Sequence, residues 1–166
     1  MIPTPKTGAP RDSSLTPVKI MVAKTIGAVS SKILLKVLLD PGSTKTLISK
    51  KVVPRTTNPA ETGSQTIRTL AGTMATTKMV YLRDMRSPEF DKNRIIDEQK
   101  ALIFDQKCQY DVILGADFFT KCGINIIYDK GNMEWFKNIT PMRDPRKLDN
   151  KEYLAMADII EVQQEE

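Results

Sequence analysis

One stretch of the chain has the residue types and spacing for chemistry: Ile33-Leu34-Leu35-Lys36-Val37-Leu38-Leu39-Asp40-Pro41-Gly42-Ser43-Thr44. An apolar run, short and β-compatible, ends in a single carboxylate, a Pro-Gly turn and two hydroxyls. Such a run predicts a buried strand. A carboxylate at its end is costly to bury unless it is paired or hydrogen-bonded. Gly42 permits a tight turn that leaves backbone amides facing Asp40, and Ser43 and Thr44 are placed to donate further bonds. These features suit a carboxylate held at the floor of a site. They suit equally an aspartate that opens a Pro-Gly turn, and the stretch alone does not choose.

The chemistry available elsewhere is narrow. The 166 residues contain no histidine and two cysteines, Cys108 and Cys122. Ser-His-Asp and Cys-His catalysis are therefore excluded, as are histidine-based zinc sites and closed thiolate sites. Carboxylates, lysines and tyrosines remain for acid-base work. Two cysteines make no disulfide framework. With no signal peptide and no membrane span expected, the simplest setting is reducing and cytoplasmic. Residues 1–55 hold ten Lys or Arg against Asp12 and Asp40, a net of +8, whereas the remainder carries −3. That basic end could touch nucleic acid. Its lysines are scattered without interleaved aromatics, which favours a solvated face instead.

A second stretch decides between the two readings of Asp40. Tyr110-Asp111-Val112-Ile113-Leu114-Gly115-Ala116-Asp117-Phe118-Phe119 reads as another buried strand, a glycine and a short helix. Together the two stretches resemble the retropepsin family, the aspartic proteases of retroviruses and retrotransposons. Leu38-Leu39-Asp40-Pro41-Gly42-Ser43 is similar to the family's apolar-apolar-Asp-Ser/Thr-Gly-Ala/Ser loop. Val112-Ile113-Leu114-Gly115 is similar to its apolar-apolar-Gly motif, and the wording from Tyr110 to Phe118 is nearest to gypsy-class retrotransposon proteases. The resemblance covers roughly Pro17 to Pro141.

The resemblance implies an all-β, retropepsin-like closed barrel with one or two short helices, half of a dimeric acid protease. It implies Asp40 as the catalytic residue, one per subunit of a homodimer, supported by Pro41, Gly42, Ser43 and Thr44, with the Ser43 hydroxyl helping to fix the carboxylate. It implies Ile113, Leu114 and Gly115 as a structural motif beneath the loop. It places a hairpin flap over the substrate, with Ala71, Gly72 and Thr73 at its turn and Gly72 at the tip. It implies an extended polypeptide as substrate, processing of a retroelement polyprotein as function, and neither a metal nor an organic cofactor. Three positions depart from the family pattern. Pro41 stands for the usual Ser or Thr. Ala116 stands where many relatives have Arg, and Thr44 where retroviral members have Asp, so their usual ion pair is absent. Pro41 leaves open an alternative, a fold kept for dimerisation or peptide binding without turnover. The basic end leaves a second, a nucleic-acid-binding β domain.

The elements that must position these residues follow in chain order. Residues 1–16, rich in proline, read as a disordered leader, 17–141 as the domain, and 142–166 as a charged connector with helical spacing from Lys151 to Val162. Strands are expected over Pro17–Gly27 and up to Asp40. A helical or irregular piece is expected over Lys45–Val53 and a loop over 55–65. Strands follow at Gln65–Leu70 and Met74–Leu82, then a charged loop over Arg83–Asn93. Short strands at Ala101–Phe104 and Asp111–Leu114 lead to a helix over Asp117–Cys122 capped by Gly123. A hairpin turns at Asp129-Lys130-Gly131-Asn132. Asp129 repeats the Asp-x-Gly spacing, but no hydroxyl follows, and it reads as a turn.

Overall fold

Strands β1 (Val18–Ile26) and β2 (Val29–Leu39) form the first hairpin, in register from Val18 opposite Leu38. The computed structural model describes residues 15–135 and 137–144. Most of the expected leader and the whole Lys151–Val162 segment lie outside the described residues. After the Asp40 loop come β3 (Leu47–Ser49), a 3-10 turn at Lys50–Val52, β4 (Ala60–Thr69) and β5 (Gly72–Ser87). Then follow β6 (Asp91–Phe104), β7 (Val112–Leu114) and the single described helix α1 (Ala116–Cys122). The helix ends at Gly123, whose φ of 71° supplies the left-handed cap expected of it.

Seven strands lie in the order β1-β2-β7-β3-β6-β5-β4, and β1 pairs a second time with β5. That second pairing closes six strands into a barrel, the all-β closed architecture expected. β4 stays outside the circle as the free arm of the β4–β5 hairpin. Two parallel pairings, β2 with β7 and β3 with β6, bring the ends of β2 and β7 side by side. Strands β8 (Asn125–Ile127), β9 (Asn132–Trp135) and β10 (Asn138–Pro141) form a small second sheet. Its β8–β9 connection is the hairpin expected, with Asp129 exposed in the turn.

The barrel wall explains the unbroken apolar runs. Along β1, Val18, Ile20 and Val22 pack into one apolar cluster while Met21 and Ala23 pack into another. In β2, Leu38 joins the first cluster and Val37 and Leu39 the second; in β7, Ile113 faces opposite to Val112 and Leu114. Both faces are buried, so alternation disappears from the sequence. Burying a side chain such as Leu or Ile is worth about 1.5–3 kcal/mol.

Several expectations are corrected. The segment 60–65 is strand rather than loop, and the short β3 lies inside the expected 45–53 piece. The charged stretch 83–93 is also strand, except for the turn at Pro88-Glu89-Phe90. There β5 and β6 pair along most of their length, with Arg83 opposite Glu98 and their side chains in an ion pair at 3.1 Å. The same part of β5 pairs with β1 on its other side; of its charges Asp84 is exposed, whereas the Glu89 side chain in the turn is 5% exposed.

The ends of the domain are tied by a buried ionic knot. Lys19, 0% exposed, donates to Glu89 at 3.1 Å and to the Pro141 carbonyl at 2.9 Å. Glu89 also accepts from Arg143 and from the Ile20 amide, and Thr16 bridges to Arg143. Burial pushes the Lys19 amine down to about 8, against the pull of Glu89.

Candidate active site

The site is built where β2 and β7 end together. Asp40 follows Leu39 directly, and its backbone amide donates to the Leu114 carbonyl at 2.8 Å. The chain then turns, with the Ser43 amide donating to the Asp40 carbonyl at 3.0 Å. This folds the Gly42 amide back onto the side chain, where it donates to Asp40 Oδ1 at 3.0 Å. Asp40 is 2% exposed. A buried carboxylate in such a loop must have its lone pairs satisfied, and backbone amides do this.

The second oxygen is held from above. The β4–β5 hairpin folds over the loop, and the Leu70 amide donates to Asp40 Oδ2 at 2.8 Å. The hairpin's underside, Ile67 and Met74, packs with Leu38, Leu47, Phe104, Tyr110 and Ile113. The hairpin expected over the site is therefore present, but its turn lies one position early. Leu70 and Ala71 form the turn, Thr69 pairs with Gly72, and Gly72 is the first residue of β5 with φ of 119°. A φ in that region requires glycine. Thr73 is exposed on β5.

Beneath the loop, Ile113 and Leu114 pair with β2, and Ile113 also with β3. The Ala116 amide donates to the Ser43 carbonyl at 2.7 Å. A Cβ on Gly115 would lie 2.7 Å or less from the backbone oxygens of both Lys45 and Ser43, so only glycine lets the two segments meet.

The supporting residues divide. Pro41 and Thr44 are exposed, and the Ser43 side chain is fully buried. The Ser43 hydroxyl donates to the Lys45 carbonyl at 2.7 Å rather than to the carboxylate. It closes the loop, while the amides of Gly42 and Leu70 hold the Asp40 oxygens.

Sequence reasoning passed over the main brace. Thr46, 1% exposed, donates through Oγ1 to Asp117 Oδ1 at 2.8 Å and accepts from the Gly115 amide at 3.1 Å. Asp117 Oδ2 accepts from Gln99 Nε2 at 3.2 Å and from the Thr46 amide at 3.3 Å. This network joins the loop, β6 and α1 without the ion pair that Thr44 and Ala116 cannot make. An acidic residue in the first helical turn was the available signal, since it favours a helix N-terminus whatever else it touches. At the other end of β7, Asp111 accepts from the Lys36 amide at 2.8 Å and fixes the strand against β2. Burial pushes the neighbouring Tyr110 hydroxyl up to about 12.

Among the described residues no helix is long and apolar enough to cross a membrane. Two solved structures are similar to the chain. One is the retroviral protease-like domain of Ddi1 from Leishmania major, at 12% identity over 80% of this chain and 94% of that one, with a TM-score of 0.44. The other is EIAV protease complexed with an inhibitor, at 18% identity over 75% of this chain and 99% of that one, with a TM-score of 0.43. No curated protein matches the chain. The sequence model named Aspartyl protease matches residues 26–118, more than half of the chain. That span begins at the end of β1, takes in the Asp40 loop, the hairpin above it and the Gly115 brace, and ends on α1 at Phe118; the chain belongs to the aspartyl protease family.

Proposed function

We propose that residues 17–141 are one subunit of a homodimeric aspartic endopeptidase that processes a retroelement polyprotein of the gypsy class. One observation carries the reading. A buried carboxylate, Asp40, ends a barrel strand with the Gly42 amide on Oδ1, in a chain of this family. One such loop per chain calls for two chains, meeting about a twofold axis. Two close carboxylates then share a proton. The ionised member takes a proton from a water between them. The protonated member donates to the scissile carbonyl oxygen as that water attacks. Gly42 orients the carboxylate, while Gly115, Thr46 and Asp117 hold the loop that carries it. The substrate lies extended between loop and hairpin, pairing as a strand. The two free cysteines accord with a reducing, cytoplasmic setting.

Pro41 favours a second reading, a dimerisation or peptide-binding module without turnover, because proline brings neither an N–H nor a hydroxyl to the loop. One experiment separates the two. Cleavage of a peptide library is measured at acidic pH for the wild type and Asp40→Asn, with sedimentation on the same samples. The protease reading expects turnover that falls on dilution and is abolished in the variant, with the fold retained. Undiminished cleavage by Asp40→Asn sinks the assignment, and dimerisation with no cleavage by the wild type selects the second reading.

A further inference from the structure

A cavity of about 400 Å³ lies beside the active-site loop. Its floor is Lys45 and Thr46, which follow directly on that loop, and Gln65 of β4 reaches it from the hairpin. The same two elements meet at Asp40, where the Leu70 amide touches the carboxylate. A peptide running between loop and hairpin thus passes this cavity. Gln65 is five positions before Leu70 in an extended strand of about 3.3 Å per residue, so the cavity lies within about five substrate residues of the scissile bond.

The charges around it are unbalanced. Of the carboxylates lining it, Glu98 is paired with Arg83 at 3.1 Å, and Asp117, which accepts from the neutral Thr46 and Gln99, stands against the three lysines Lys45, Lys100 and Lys121. Lys121 donates to the Glu98 carbonyl. Lys45 and Lys100 are exposed and make no ion pair among the described residues. Two lysines without an ion pair among the described residues therefore line a cavity large enough for a side chain.

We infer that this cavity is a specificity site for an acidic side chain of the substrate, held by Lys45 and Lys100. The inference rests on the endopeptidase reading and adds the substrate class to it. Both lysines are partly solvated, so the discrimination is moderate. Glutamate should exceed glutamine at one position by roughly three- to tenfold in kcat/KM, falling as salt is raised.

The test uses the full chain. Cleavage of peptides carrying Glu, Gln or Lys at each position within five residues of the scissile bond is compared between the wild type and a Lys45→Glu, Lys100→Glu double variant. The wild type should prefer Glu at one position, and the variant should prefer Lys there. In parallel, fluorescence anisotropy of Asp40→Asn with the Glu and Lys peptides reads binding without turnover. Cleavage with no Glu preference, or a preference unmoved by the double variant, overturns the inference and leaves the endopeptidase intact. Should no peptide be cut, the endopeptidase reading fails, and anisotropy still decides the cavity. Tighter binding of the Glu peptide that reverses in a triple variant with both charge changes supports it, and equal binding refutes it.

Discussion

The contact between the Leu70 amide and Asp40 Oδ2 makes the hairpin a latch, and one substitution removes it without touching the core. Leu70 is 66% exposed, so its side chain adds little packing. The sole non-glycine residue with positive φ among the described residues is Asp84, so the φ of Leu70 has the negative sign that proline requires. Thr69 before it is already extended, as a residue preceding proline should be. Leu70→Pro therefore keeps the turn, braced by the Thr69 hydroxyl on the Gly72 carbonyl and the Ala71 amide on Thr69, and deletes the N–H. A hydrogen bond to a charged group is worth about 1.5–3 kcal/mol, which shifts the closed-to-open ratio by roughly ten- to a hundredfold. The apolar contacts of Ile67 and Met74 remain, so the hairpin loosens without unfolding. The assay is the rate at which an epoxide esterifies Asp40, which needs the hairpin lifted, together with hydrogen exchange of the β4 amides. Leu70→Pro should react roughly ten- to a hundredfold faster than wild type and lose protection across β4. Leu70→Ala, which keeps the amide, should match wild type. Equal rates for the proline and alanine variants would refute the latch.

Three further outcomes are expected. Gly115→Ala drives a methyl group into the Lys45 and Ser43 carbonyls; it should lower stability by about 1–3 kcal/mol, read from the urea midpoint, and reduce cleavage further by displacing the loop. Lys19 has its amine lowered from 10.5 to about 8 by burial, so between those values the unfolded chain binds the proton that the folded chain has released, and this group makes stability rise with pH. Urea midpoints from pH 8 to 10 should climb in wild type relative to Lys19→Met; above 10 Tyr110, pushed up to about 12, acts in the opposite sense. Parallel curves for the two proteins would exclude the effect. Pro41→Thr restores one N–H and one hydroxyl per subunit, each worth about 1 kcal/mol if bonded across the dimer. Dimer dissociation measured by sedimentation should tighten, and unchanged association would mean that Ser43 and the Asp117 brace already hold the loop.

What the sequence determined by itself was local. An apolar run ending at Asp40 and a Pro-Gly turn dictate a strand and a folded-back carboxylate, because the Gly42 bond spans two residues. The helix after Gly115, its Gly123 cap and the turn at Gly131 are equally short in range. Tertiary structure decided everything whose partner is distant. The charged stretch 83–93 is strand because it pairs with β6 and with β1, and no periodicity within it announces those neighbours. Lys19 is buried because Glu89 and Pro141, 70 and 122 residues away, meet it there. Asp40 Oδ2 is held by the Leu70 amide, 30 residues on, while the Ser43 hydroxyl bonds the Lys45 carbonyl. Asp117 reads alone as an acidic helix start and becomes the brace of the active-site loop only when barrel closure lays β3, β6 and β7 side by side. Side-chain identity constrains the first few neighbours through sterics and short loops. Contacts across tens of residues depend on which strands close the barrel, a property of the whole chain.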